Sequence, residues 1–270
     1  MENELVNPQS KVIFIPHGGG PLPLLGDRGH QKLVDFLQNI APTLGQPSAI
    51  LLISAHWEEQ QVSITGGENP SLIYDYSGFP EESYNIKYPA PGNPALADKI
   101  YRLLQDADIE AKLDNHRGFD HGLFVPLKIM FPDASIPCVQ ISLVNSLDPQ
   151  THINIGKALS SLKTENILII GSGFSFHNLS AFFSHKSGTT DTNNEAFEQW
   201  LIESCTNENI SDSERESRLI NWTEAPFARY CHPREEHLLP LFICYGASIS
   251  AAKLVFNDLV LGKKTSAFIW

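Results

Sequence analysis

Ten histidines are spread through the 270 residues, and three of them fall where a short apolar run gives out. His17 follows Lys11 to Pro16 (KVIFIP), His56 follows Ala49 to Ser54 (AILLIS), and His177 follows a run that begins Asn166 to Ile170 (NILII) and continues through Gly171-Ser172-Gly173. Runs of this length, rich in β-branched residues, read as strands buried on both faces. Parallel strands release their chains along one sheet edge, where ligands gather in such folds. Taken singly, each histidine reads as a structural residue hydrogen-bonded in a loop; together the three point to a shared site. Gly18, Gly19 and Gly20 next to His17 permit close backbone approach to a metal or ligand. His237 is the candidate fourth member: Pro233 is expected to open a helix over Pro233 to Tyr245, with His237 about one turn in. His116 and His121 bracket Asp120, which reads as a helix cap, and His121 is a further site candidate. His30, His152 and His185 have polar surroundings and read as surface residues.

Clustered neutral imidazoles suit Zn²⁺, Fe²⁺ and Cu²⁺. The four cysteines, Cys138, Cys205, Cys231 and Cys244, contain no CxxC pair, so neither a thiolate zinc site nor a disulfide framework is expected. Catalytic zinc and non-haem iron are both compatible with the donor set.

The elements that must position these groups alternate along the whole chain. After β-runs near residues 11 and 49 come a strand at Gln61 to Thr65 and a long Gly-, Pro- and Tyr-dense stretch from Gly66 to Pro94. That stretch is too long for an ordinary connection and reads as a functional loop or lid. Its aromatics (Tyr74, Tyr76, Phe79, Tyr84, Tyr88) either wall a pocket or pin the loop, and residues around Phe174 and Phe176 are candidate pocket walls. Helices are expected at Leu33 to Ile40, Pro94 to Gln105, His121 to Met130, Pro149 to Leu162 and Glu195 to Cys205. Strands are expected at Ile109 to Leu113, Pro137 to Leu143, and either Ala251 to Phe256 or Ser266 to Trp270. Asn207 to Arg218 reads as polar and exposed. The pattern predicts one α/β domain over residues 1–270, its central sheet mostly parallel or mixed and flanked by helices on both faces.

Hydrophobic residues make up 42% and charged residues 19%, a globular composition. The net charge of −12 argues against nucleic acid and anionic membranes, and offers an acidic substrate no long-range attraction. MENELVNPQS lacks the layout of a secretory signal, and no apolar stretch reaches membrane-spanning length. The expectation is a soluble cytoplasmic protein; its oligomeric state is not legible.

An ordered set of motifs resembles the class III extradiol ring-cleaving dioxygenases, specifically the DOPA-dioxygenase-like (LigB-like) group. The pieces are Pro16-His17-Gly18-Gly19-Gly20-Pro21, Ser54-Ala55-His56-Trp57, Tyr88-Pro89-Ala90-Pro91-Gly92, Gly118-Phe119-Asp120-His121-Gly122, Gly171-Ser172-Gly173 running to His177-Asn178-Leu179, and Glu236-His237-Leu238-Leu239-Pro240-Leu241. The resemblance spans nearly the whole chain. It implies a metal held by His17, His56 and His237, with His177 as acid/base residue or fourth ligand and His121 in the substrate pocket. It implies opening of a catechol-type ring with O₂, with Fe(II) for activity and Zn(II) as another ion the site could hold. The better-known branch of the superfamily uses two histidines and a glutamate; here the third ligand falls on His237, with Glu235 and Glu236 adjacent. The competing functions are a zinc-dependent hydrolase with His177 as base, and a non-enzymatic metal-binding relative of the same fold.

Overall fold

The β-branched runs form a single eight-stranded sheet in the computed structural model, which describes residues 11–184 and 191–270. The strands are β1 (Val12–Pro16), β2 (Ala49–Glu59), β3 (Val62–Thr65), β4 (Ala111–Asp114), β5 (Cys138–Val144), β6 (Ile167–Gly173), β7 (Lys253–Val260) and β8 (Lys263–Ile269), in the spatial order β4-β3-β5-β2-β6-β1-β8-β7. The central strands β5, β2, β6 and β1 run parallel. β3 is antiparallel to β5, and β8 is antiparallel to both β1 and β7, so the sheet is mixed. Both C-terminal candidate segments are strands, and they pair with each other.

Helices cover both faces. They are α1 (Gln31–Ile40), α2 (Pro94–Gln105), α3 (His121–Met130), α4 (Pro149–Leu159), α5 (Leu179–Ser184), α6 (Thr192–Thr206), α7 (Asp212–Ile220), α8 (Ala228–Cys231) and α9 (Leu239–Ser248). Side chains alternate along the central strands: Val12, Phe14, Leu51 and Ile53 enter a core with α2, α4, α6 and α9. Ile13, Ile15, Ile50 and Leu52 enter a second core with α1 and α3. This two-sided burial is why these strands read as continuous apolar runs rather than alternating ones. Proline starts fix α2 and α4: Asn93 and Asp148 cap them by accepting from the amides of Leu96 and Thr151.

Four local expectations are corrected. The helix expected from Pro233 begins at Leu239, with Pro240 in its first turn, so His237 sits in the preceding turn and not one turn into a helix. β2 does not stop at Ser54 but continues through His56 to Glu59, with a shift in its pairing to β5 between Ile53 and Glu58. Asn207 to Arg218 is not simply an exposed polar stretch: it leads into α7, and buried Arg215 donates to the carbonyls of Ser204 and Asn207 at 2.7 and 2.8 Å. His30 and His152 are buried, not surface residues. His30 bonds Asp27 through Nδ1 (2.7 Å) and accepts the Gly19 amide at Nε2 (2.9 Å). His152 donates from Nδ1 to the Asp148 carbonyl (2.7 Å) and accepts the Val144 amide (3.2 Å). His185 lies outside the described residues. Among the described residues no helix is long and apolar enough to cross a membrane.

Candidate active site

The carboxyl ends of the parallel strands converge. Pro16 pairs with Gly173 and Ser54 with Ser172, so the residues that follow β1 and β6 emerge beside the irregular part of β2. His17 leaves β1 with its amide bonded to the Gly173 carbonyl at 3.2 Å. His56 sits within the pairing shift of β2, where Ser54 to Trp57 have no partner in β5 between two paired stretches; an irregularity of this kind re-aims a side chain at a sheet edge. Its amide donates to Ser54 Oγ (3.1 Å), whose hydroxyl donates to buried Asp120 (2.8 Å). Asp120 therefore braces β2 and makes no side-chain cap on α3, contrary to the sequence expectation. Its carboxyl is pushed up by burial and by the nearby charge of Asp75.

The turn bearing His237 packs directly over β6. A Cβ on Gly173 would stand 2.2 Å from the His237 carbonyl oxygen, so only glycine admits this approach. His17 Nε2 lies 3.0 Å from His56 Nε2. One nitrogen from each of His17, His56 and His237 fits within a 4.8 Å group. The His17 and His237 rings are 5.3 Å apart, those of His56 and His237 4.9 Å. His121, at the start of α3, lies 3.9 Å from the His56 ring, and the His177 ring stacks on His237 at 3.4 Å. All five candidate histidines thus meet, whereas His116 is not among the groups that could hold a metal.

Hydrogen bonds set the tautomers. The Ser172 hydroxyl donates to the Gly122 carbonyl (2.5 Å), so its oxygen must accept Nδ1–H of His17 (3.2 Å), leaving His17 Nε2 unprotonated. Glu236 Oε1 lies 2.9 Å from His237 Nδ1 and 3.1 Å from His177 Nδ1, and Asp75 Oδ1 accepts both the amide and Nδ1–H of His121 (3.0 and 2.8 Å). Carboxylate partners on Nδ1 leave the opposite ring nitrogens as lone-pair donors, the arrangement found behind metal-bound imidazoles. Burial, and then the neighbouring histidines, hold His17 and His56 well below the usual imidazole range. His237 is depressed to about 3, by burial first and His177 second. For Glu236 burial opposes ionisation, but the contacts to His177 and His237 outweigh it and keep the carboxyl well below the ordinary range. In Asp75 the bonds from His121 likewise outweigh burial.

These residues fit a divalent ion. The three nitrogens are neutral and convergent, as metal ligands must be. A 3.0 Å separation between the Nε2 atoms of His17 and His56 also matches two imidazoles at about 2.0–2.1 Å from one ion and near a right angle to each other. The group opens into a cavity of about 860 Å³ that His121 and His177 also line.

The long loop supplies part of this cavity, and its aromatics divide between the two roles expected of them. Tyr76 and Phe79 line it. Tyr74 and Tyr76 also bond the loop to itself through Ile86 and Ser83 (2.6 and 2.7 Å), while Tyr88 donates to the Phe131 carbonyl (3.2 Å). Phe174 lines the cavity; Phe176 is buried in the core beside Phe182 and Lys263. Sequence reasoning missed Asp75 altogether, and it quoted Ser54, Ser172 and Glu236 within motifs without giving them a role; for Glu236 its place beside His237 was a usable signal.

Comparison with known proteins agrees with this architecture. Residues 11–266 match the family model described as the catalytic LigB subunit of aromatic ring-opening dioxygenase. The chain belongs to the LigB family. Within it, a dioxygenase, tasH, of Hapsidospora irregularis is 39% identical across 96% of this chain and 85% of its own length. A 4,5-DOPA dioxygenase extradiol of Beta vulgaris is 37% identical across 92% of this chain and 91% of its own. The crystal structure of an uncharacterized protein from Escherichia coli K12 superposes with a TM-score of 0.79 at 29% identity, covering 96% of this chain and 99% of that one. The LigB assignment supports aromatic ring-opening dioxygenase activity.

Proposed function

We propose that this protein is a metal-dependent extradiol dioxygenase that opens a catechol ring with O₂, with Fe(II) held by His17, His56 and His237. The observation that carries the reading is the convergence of three neutral imidazole donors at a cavity also lined by His121 and His177. Relatives of this chain are named for DOPA, a catechol. An Fe(II) ion held there would supply an open face for the two catechol oxygens and O₂, a charge that favours ionised hydroxyls, and the redox change that zinc lacks.

The chain's own groups then handle protons. His177, its Nδ1 facing Glu236, presents Nε2 as a base to a substrate hydroxyl and later returns that proton as an acid. His121, its Nδ1–H committed to Asp75, presents Nε2 as an acceptor on another side of the cavity. Phe174, Phe79 and Tyr76 exclude water around the ring. Both atoms of O₂ end in the product as one ring carbon–carbon bond is cleaved.

The test is anaerobic reconstitution with Fe(II) or with Zn(II), followed by catechols and air, reading O₂ uptake and the yellow ring-opened semialdehyde. Activity with Fe(II) alone, falling about 10²- to 10⁴-fold in His177→Ala, supports the proposal. No O₂ uptake with any catechol, or O₂-independent ester cleavage by the zinc form, overturns it.

A further inference from the structure

The walls of the cavity constrain the substrate beyond its catechol ring. Besides the histidines, Leu22, Phe79, Phe174, Leu179, Phe182 and Leu261 line it. Apart from the histidines, the ionisable lining is acidic: Glu58 and Glu236 both line the cavity, and among the described residues that line it there is no lysine or arginine. The arginine that reaches these carboxylates is engaged by them. Arg234 grips both oxygens of Glu58 at 2.5 Å and reaches Glu236 at 3.4 Å. The chain as a whole carries −12, so its long-range field also repels anions.

Leu261 adds an independent observation. It and Gly262 form the turn of the β7–β8 hairpin, both with left-handed backbone (φ 51 and 78). Such turns favour Asn-Gly, because a leucine there is sterically strained. The strained leucine is held by its amide, which donates to the Gly29 carbonyl at 3.1 Å. Its side chain lies over the Gly19 segment of the cavity wall, with a methyl 3.2 Å from where a Cβ on Gly19 would stand. Asparagine would relieve the strain but remove an apolar surface from the cavity. Strain kept at a cavity wall points to a use for the side chain.

We infer that the substrate is a catechol bearing a bulky, uncharged, apolar substituent, and that catechols with an anionic side chain are selected against. This rests on the proposed catechol chemistry. A volume of about 860 Å³ is in the range that holds drug-sized ligands, so a substituent well beyond the ring is accommodated. An alkyl or aryl group would be removed from water against the leucine and phenylalanine wall. A carboxylate placed there would lose its hydration, meet Glu58 or Glu236, and find no free cation in return.

The test compares three probes of similar size: 4-butylcatechol, 3-(3,4-dihydroxyphenyl)propanoate and 3-(3,4-dihydroxyphenyl)propylamine. Turnover is read as kcat/KM in the Fe(II) form, and affinity by calorimetry under argon in the Zn(II) form. The butyl compound is expected to lead the propanoate by roughly tenfold or more in both readouts. Leu179 is 59% exposed, so Leu179→Lys can place a cation at the rim without disturbing the core. It should move the propanoate-to-butyl ratio upward by roughly tenfold. Leu261→Asn should leave thermal stability equal or higher while narrowing the preference for the butyl compound. A propanoate or amine that binds and reacts as well as the butyl compound overturns the inference. A retained binding preference with no turnover would sink the dioxygenase reading while keeping the cavity's preference for an uncharged, apolar substituent.

Discussion

Replacing Glu236 by glutamine keeps the shape of the side chain, removes its charge and exchanges one carboxylate oxygen for an NH₂ group while a carbonyl oxygen can still face both rings, which tests what the ionised carboxylate does for two histidines. Its Oε1 stands 2.9 Å from His237 Nδ1 and 3.1 Å from His177 Nδ1. A hydrogen bond to an ionised group contributes about 1.5–3 kcal/mol and a neutral one about 0.5–1.5, so each contact should weaken by about 1–1.5 kcal/mol. Two contacts give about 2–3 kcal/mol, or roughly 30- to 150-fold. That range overlaps the roughly 10- to 100-fold loss found when groups behind metal-bound histidines are altered. Glu236 is a positioning residue under this reading, because it acts through His177 and His237. The assay has two parts: chelator competition for the bound metal, and steady-state kinetics at saturating metal. Affinity should fall through His237, and kcat should stay depressed at saturating metal through His177. Unchanged affinity together with unchanged kcat would refute the reasoning, and a loss confined to thermal stability would reduce Glu236 to a structural role.

Three other perturbations have defined outcomes. Asp75→Asn should lower kcat by about 10- to 100-fold with little change in KM and displace the pH–rate profile, since it frees His121 from its fixed tautomer; wild-type kcat would exclude that role. Gly173→Ala should push the His237 turn off β6, costing about 1–3 kcal/mol by chemical denaturation and weakening metal binding in chelator competition. Glu198 lies buried beside Ser175 and Ser266, with Lys264 nearby, and its carboxyl is pushed up to about 7 by burial, from an ordinary value of 4.5. The folded state then holds a proton that the unfolded chain releases above the lower value, so stability should fall as pH rises through this window, by about 3 kcal/mol in all. Glu198→Gln should flatten that dependence in denaturation curves from pH 5 to pH 8, and an unchanged slope would contradict the assignment.

What the sequence disclosed and what it hid follow from the range of the interactions. β1, β2 and β6 are buried on both faces, so their apolar runs stood out, and α2 and α3 begin and end at the residues expected from local pattern and the Pro94 start. The histidines at strand ends were legible because parallel strands share an exit edge. The turn at Pro233 misled because a proline opens a helix only where the chain after it is free to wind; here the Arg234 and Glu236 side chains are tied across to Glu58, His177 and His237. His30 and His152 looked like surface residues because their partners, a loop amide and a strand-end amide, carry no side-chain signature. Asp75 reaches His121 from 46 positions away, and Ser172 joins His17 across 155. Contacts at such separations leave no periodicity to read, so the candidate ligand residues could be found in the sequence while the distant groups that orient the histidines could not.

The central claim is tested most directly by isotope. The Fe(II)-reconstituted protein is given a catechol and ¹⁸O₂ in unlabelled water, and the product is analysed promptly by mass spectrometry, before its carbonyl oxygen exchanges. The account expects a ring-opened semialdehyde carrying both labelled atoms, formed with matched consumption of O₂ and catechol. A quinone, a hydroxylated ring, or a product whose added oxygen comes from water would contradict it.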